Sequence, residues 1–307
     1  MQSIQYLLHN KIDKKKWDDC IDKSVNRLIY AKSFYLDAMA ANWDAIVLND
    51  YEAVMPLTWK RKWGITYLYQ PAFIQQGGVF YTAELSAVTL KLITDKAFEK
   101  FKFAEITFNY LNNLSDLNNA VVNTRTNFIL PLTKTYDEIY AAYSGSVIKN
   151  LNRTKPFSLA YHNSNDFMQV LQLYQQLYAK VLPYFSGIDF YNFGVVCKKM
   201  FESKQLIIRK VSNKKNELLS AAILLMDNNR LYNIISCVTA EGRDKEANYF
   251  LYDKLIQEFS GSALILDFEG SDVKGIADFY RQFCATNQPY PFCKINRLNP
   301  FIKLFKR

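Results

Sequence analysis

The apolar and polar positions of this chain fall into one order of elements, written twice. In the first half, "WDAIVLNDYEAVMPLTW" (43–59) and "GITYLYQ" (64–70) alternate as strands do, with Asn49-Asp50 as a turn. A polar loop follows, then apolar positions at helical spacing over 84–99 (Leu85, Val88, Leu92, Phe98) and an apolar strand, "FAEITFNY" (103–110). The second half has strands "QLIIRKV" (205–211), "LLSAAILLM" (218–226) and "LYNIISCV" (231–238), again with a polar loop, a helix and an apolar strand, "LILDFEGS" (264–271). Strand, strand, strand, loop, helix, strand, repeated, predicts an α/β fold with mixed sheets in two similar domains, each with a site where the third strand feeds a helix.

The expected boundaries follow the breakers. The first domain spans 1–130, opening with a strand near Ile4–Leu8 and a helix that Asp13 caps. A helical joint spans 131–156: Pro131 starts it, Ser144-Gly145-Ser146 separates two short helical patterns, and Pro156 ends it. The second domain spans 157–307, with a strand at Phe157–Tyr161 and helices over 165–179 and 190–202.

Composition narrows the class. Half the residues are hydrophobic and 15% aromatic, enough for two cores. No run reaches the roughly 18 apolar residues of a membrane span, and the N-terminal segment lacks the order of a secretory signal, so a cytoplasmic protein without a span is expected. Five cysteines without C-x-x-C spacing give no zinc site or disulfide framework, and His9 and His162 alone give no sequence support for a histidine triad. Chemistry without a metal is expected.

The formal charge of +9 favours anionic partners. Basic residues gather at Lys14–Lys16, Lys60–Lys62, Lys149–Lys155 and Lys303–Arg307, each also readable as a solvated face. Zinc-finger, RNP-like and long basic-helix patterns are missing, so specific nucleic-acid readout has no support. The run "TAEGRDKEANYFLYDKLI" (239–256) leaves a strand and enters a helix with Ala247, Phe250, Leu251, Leu255 and Phe259 on one face. Asp244 is its expected N-cap, Gly242 permits an unusual turn and Arg243 brings a cation. Two readings stand: a loop that cradles phosphate, or a capped helix with a solvent-facing arginine.

Together "WDAIVLNDYEAVMPLTW", "YLYQPAFIQQGGVF" (67–80), "TAEGRDKEANYFL" (239–251), "LDFEGSDVKGIADFYRQF" (266–283) and "PYPFCKINRL" (289–298) resemble the FemAB group of peptidyltransferases within the GNAT acyltransferase superfamily. "QPAFIQQGG" is similar to a broad set of uncharacterised bacterial relatives. The resemblance implies a tandem pair of GNAT-like acyltransferase domains that moves an acyl or aminoacyl group onto an amine. The implied donor is acyl-CoA, as a co-substrate rather than a tightly bound cofactor, or a charged tRNA; the acceptor is an amine such as a cell-wall precursor. The sequence departs from that pattern in lacking a heptad-rich insertion and the Q/R-x-x-G-x-G/A loop of CoA-dependent GNAT enzymes, which leaves the donor open.

Acyl transfer needs a group to take the amine's proton, stabilisation of an oxyanion and a proton for the leaving group. Asp267 and Glu269 alternate at a strand end, so only one faces a cleft. Asp267 is preferred for the amine, since Glu269, like Ser271, can cap the next helix. Tyr280 is the candidate proton donor, with core packing as its other reading. Arg243, Arg281, Lys149 and Arg153 suit an anionic donor; Gly242 and Asn248, in the same loop-and-helix run, are grouped with them. Gln70, Gln75, Gln76 and Gly77 suit a neutral polar acceptor. The reading from another class is a non-catalytic binding or scaffold module that keeps this fold; a weaker one is an RNA-binding protein whose basic joint holds tRNA.

Overall fold

The structure, a computed structural model, describes residues 3–114, 117, 120–178, 185–270, 272 and 274–299. It divides into two compact units: residues up to Arg125 together with those from Pro289 on, and Thr126–Gln288.

The first unit is built on strands β1 (Ile4–Leu7), β2 (Trp43–Leu48), β3 (Ala53–Lys62), β4 (Ile65–Tyr69), β5 (Phe80–Tyr81), β6 (Phe103–Thr107) and β7 (Ala120–Arg125), with helices α1 (Lys14–Lys23), α2 (Ser33–Met39) and α3 (Ala87–Glu99). Asp13 caps α1 as expected, accepting from the amides of Lys15 and Lys16. The second unit holds β8 (Phe128–Pro131), β9 (Ala160–Asn163), β10 (Leu206–Ser212), β11 (Leu218–Met226), β12 (Arg230–Val238), β13 (Ile265–Asp267) and β14 (Thr286–Asn287). Its helices are α4 (Tyr136–Ala141), α5 (Gly145–Thr154), α6 (Phe167–Tyr178), α7 (Gly187–Glu202), α8 (Ala240–Asp244), α9 (Ala247–Phe259) and α10 (Lys274–Gln282). A last strand, β15 (Tyr290–Asn296), returns to the first unit.

The two sheets share one topology. The first runs β1-β2-β3-β4-β6-β15-β7, with β5 on β3; the second runs β9-β10-β11-β12-β13-β8-β14. In each, the fourth and fifth strands are parallel (β4 with β6, β12 with β13) and the pairs on either side are antiparallel. The parallel step is the crossover through α3 or α9 that the strand–helix–strand pattern requires.

Two expectations about boundaries are corrected. Residues 131–156 are not a joint: Leu132, Ile139, Tyr143 and Val147 are buried in the second unit's core with Leu251, Leu255 and Phe268. Residues 289–298 do not belong with 157–288 either. β15 lies between β6 and β7, and Cys293 and Ile295 are buried in the first unit's core. Among the described residues no helix is long and apolar enough to cross a membrane.

Candidate functional site

In the second unit β12 and β13 pair over only three positions, Arg230–Tyr232 against Ile265–Asp267. β12 then continues to Val238 while pairing with β11 alone. From Asn233 onward one edge of β12 has no strand partner among the described residues, which leaves an opening between the two strands, with Tyr178 bonded to the Val238 backbone at its far end.

A bulge selects what faces this opening. The register of β12 against β11 shifts between Ile223↔Ile235 and Leu224↔Asn233, leaving Ile234 as the extra residue. Alternation alone would send residues 233 and 236 to opposite faces; one inserted residue restores the phase. Both thus meet the hydroxyl of Tyr252 on α9. Asn233 Nδ2 donates to it at 2.8 Å, and the Ser236 and Tyr280 hydroxyls lie against it. Burial pushes the Tyr252 phenol up to about 12, although these partners pull it down. Burial raises Tyr280 further, with Tyr252 and then the nearby Glu269 adding to it. Both phenols are therefore neutral donors near pH 7. Asn233 is 3% exposed and its Oδ1 has no hydrogen-bond partner. A buried acceptor left unmade costs roughly 1–3 kcal/mol, so this atom is a place where a ligand N–H gains most.

The expected catalytic residues divide. Asp267, preferred from sequence, is 1% exposed and committed to structure. Its Oδ2 takes Arg230 Nη1 at 2.6 Å and Asn127 Nδ2 at 3.3 Å, while Oδ1 takes the Glu269 amide at 3.0 Å. Arg230 in turn donates to Gln288 Oε1 at 3.3 Å. Glu269 sits half-buried just past β13 in the left-handed region, φ 64°, close enough to Tyr280 to raise its phenol. Ser271 lies outside the described residues. Tyr280 packs on Phe268 (ring centroids 4.7 Å apart), the packing expected of it, and its hydroxyl joins the Tyr252 group.

Among the residues expected to suit a donor, the loop expected before the helix is itself a short helix, Ala240–Asp244, ahead of α9. α8 is capped by Thr239, whose Oγ1 accepts the Gly242 amide at 3.0 Å; Asp244 ends α8 instead of capping α9. Glu246, at φ 55°, precedes α9 and offers it no side-chain cap, which leaves that helix's first amides without one. Gly242 is buried for packing: a Cβ there would come within 2.2 Å of the Leu219 carbonyl oxygen, so only glycine lets α8 lie on β11. Asn248 is turned to the same strand, taking Ser220 Oγ at 3.2 Å on its Oδ1. Arg243 is exposed and reaches the Val238 carbonyl at 3.3 Å. Arg153 on α5 pairs with Glu246 at 3.1 Å, and Lys149 lies exposed one turn earlier on that helix. Arg153 and Arg243 thus flank the start of α9. Arg281 is engaged elsewhere, with Asp278 and over the Phe128 ring at 5.0 Å.

The first unit's corresponding opening, between β4 and β6, is closed by its own chain. Gln70 Oε1 accepts the Thr107 amide at 2.9 Å and its Nε2 donates to the Ile74 carbonyl at 2.6 Å. Thr107 Oγ1 donates to the Gln75 carbonyl at 2.7 Å, Gln76 Oε1 accepts the Tyr110 amide at 2.9 Å, and the Gly77 amide reaches the Thr107 carbonyl at 3.3 Å. The four expected acceptor residues do come together, but as the stitching of a seam. Gln70, Gln76 and Gly77 line a cavity of about 20 Å³, room for one water and not for a sugar or peptide.

Asn233, Ser236 and Tyr252 were not among the sequence candidates. The available signal was Asn and Ser three positions apart inside an otherwise apolar strand, "LYNIISCV".

No family model and no curated protein matches this sequence. Solved structures do match by fold. FemX has a TM-score of 0.64 at 12% identity, over 99% of this chain and 100% of that one. The C-terminal DUF2156 domain of a putative lysylphosphatidylglycerol synthetase from Agrobacterium fabrum has a TM-score of 0.58 at 9% identity, over 95% and 94%. A GNAT-family acetyltransferase from Colwellia psychrerythraea has a TM-score of 0.51 at 12% identity, over 96% and 100%. The chain has a FemAB-like, GNAT-type fold, as its sequence motifs led one to expect.

Proposed function

We propose that this chain is an N-acyltransferase whose working site is the opening beside β12 in the second unit, moving an acyl or aminoacyl group from an activated donor to an amine. The observation that carries the reading is the buried, unpartnered Asn233 Oδ1 set among the neutral hydroxyls of Ser236, Tyr252 and Tyr280. An extended donor lies along the open edge of β12, where Asn233 Oδ1 accepts an N–H of donor or acceptor. The amine attacks the acyl carbon; its proton passes to Glu269; Tyr280 supplies a proton to the leaving thiolate or alkoxide, regaining one from solvent. Lys149, Arg153 and Arg243, around the start of α9, provide the charge that suits donor phosphates. The names of the similar structures favour acyl or aminoacyl transfer as the class. Acyl-CoA or charged tRNA as donor, and a cell-wall precursor among the amine acceptors, follow from the sequence resemblance alone.

A second reading, a binding module on the same fold, is favoured by the aromatic rings beside the opening: Tyr249, Tyr252, Phe268, Phe279, Tyr280 and Phe283 pack on one another at 4.7–6.5 Å. The test is a direct one. Acyl-CoAs and aminoacyl-tRNAs are each incubated with amine acceptors and the protein, and the acylated amine is followed by mass spectrometry. Product formation that Glu269→Gln and Tyr280→Phe abolish supports transfer; donor binding without product from any pair supports the module.

A further inference from the structure

Strands β3 and β4 outrun their neighbours. β2 pairs with β3 only as far as Thr58, opposite Trp43, and β6 joins β4 only from Leu68, opposite Ala104. Residues 60–67 therefore form a two-stranded ribbon that projects past the first unit's sheet, held by Lys60↔Tyr67, Arg61↔Thr66 and Lys62↔Ile65. Lys60, Arg61 and Lys62 are exposed on it, and the ribbon has no acidic residue.

The apex is unusual. Trp63 and Gly64 form a two-residue turn with φ of 49° and 78°, the primed turn that hairpins favour and that Asn-Gly fills best. A bulky residue at positive φ is an outlier, held at a conformational cost. The indole gains little in return: it is 70% exposed and meets the Lys62 ammonium 4.7 Å from its ring. The same end of the sheet carries two more exposed cations. Lys102 precedes β6, and the Arg297 amide donates to its carbonyl at 2.7 Å. Among the described residues none of these five cations is ion-paired, whereas Lys294 on the neighbouring strand is held by Glu105 at 2.7 Å. Val121, three strands across on β7, adds an apolar side chain 57% exposed.

We propose that this end of the first unit docks on an anionic lipid bilayer, with Trp63 in the headgroup layer and Lys60, Arg61, Lys62, Lys102 and Arg297 against lipid phosphates. Charge complementarity supplies the attraction, and indole, half apolar and half polar, partitions to that layer. Nucleic acid fits less well. Stacking needs a ring lying on a face among the cations, and this ring is carried on the two-residue turn at the tip, with Lys62 beside it. The inference is independent of the chemistry proposed for the second unit.

The full chain is sedimented with vesicles of phosphatidylcholine and with vesicles of phosphatidylcholine mixed with phosphatidylglycerol. The expected result is binding to the mixed vesicles, weakening as salt rises, with a blue shift of tryptophan emission. Lys60→Gln/Arg61→Gln/Lys62→Gln should weaken it by roughly 100-fold, about fivefold per cation. Trp63→Asn, which suits the turn better and so leaves folding intact, should remove the blue shift and weaken binding. Absence of binding to the mixed vesicles at low salt overturns the proposal. So does binding that both variants leave unchanged, or tight RNA binding that the same variants abolish while vesicle binding is missing.

Discussion

Gln70 and Thr107 are joined as two strands would be: the glutamine's Oε1 takes the threonine's backbone amide at 2.9 Å, at the point where β4 and β6 part. A side chain has replaced the missing rung of a ladder. Gln70→Ala strands that amide and the Ile74 carbonyl in a half-buried seam and should cost about 1–3 kcal/mol in urea denaturation. A loss below about 0.5 kcal/mol, or a change confined to ligand binding, would return Gln70 to the recognition role its composition suggested.

The two carboxylates near β13 should separate cleanly. Asp267→Ala leaves Arg230 buried without its partner and is expected to destabilise the fold by about 3–5 kcal/mol. Glu269→Gln should leave stability near normal and, once a donor and acceptor are known, lower turnover by about 10²–10⁴-fold. Equal turnover in Glu269→Gln and wild type would take this carboxylate out of the mechanism.

Gly242→Ala should cost about 1–3 kcal/mol or more, because the new methyl group meets backbone and not a movable side chain. Calorimetry separates this from a phosphate-binding role: the loss should be present without any ligand.

Trp63→Asn is expected to do the opposite and stabilise the protein by about 1 kcal/mol, the strain of a bulky residue at positive φ being removed. A lower thermal midpoint for this variant would mean that the indole earns its place by contacts within the fold.

Asp253 on α9 gives a pH-dependent prediction. Its Oδ1 accepts the Tyr136 hydroxyl at 2.9 Å, yet burial raises the carboxyl group's pKa, with Tyr136, Lys254 and Tyr143 only partly opposing it. The folded state thus keeps this proton to higher pH than the unfolded chain does. The group favours folding below the ordinary carboxylate range, and its ionisation costs stability as pH rises through the raised value. Asp253→Asn retains the acceptor for Tyr136 and cannot ionise. Its thermal midpoint should exceed that of wild type at pH 7, and the gap should close by about pH 3, where both forms are neutral. A gap that widens toward acid would reverse the assignment.

The repeated element order was legible because β2, the first six residues of β3, β11 and most of β12 are apolar runs buried on both faces, and local patterning is enough to mark such strands. Pairing partners were not. Nothing within "PYPFCKINRL" says that its strand belongs between β6 and β7, since that choice is made by residues nearly two hundred positions away. The bulge at Ile234 escaped for a related reason: a one-residue slip exists only between β11 and β12, not in either alone. The acidic strand end was found, but the burial of Asp267 was not, because Arg230, the partner that occupies it, lies 37 residues upstream. The glutamines were found but their bonds across the seam were not, since an amide that binds a sugar and one that closes a seam are the same residue in sequence.

β15 has a consequence for how the chain is made. It follows the whole of Thr126–Gln288 in sequence, yet it sits inside the first unit's sheet, bonded to β6 on one side and β7 on the other. During synthesis the N-terminal strands leave the ribosome first, but their sheet stays split until residues 290–296 emerge. The second unit, continuous in sequence, can close before the first. The order of folding is thereby inverted relative to the order of translation, and for that interval β6 and β7 present open edges to any other nascent strand. A chain cut before Tyr290 would hold a complete second unit attached to a first-unit sheet with a gap one strand wide.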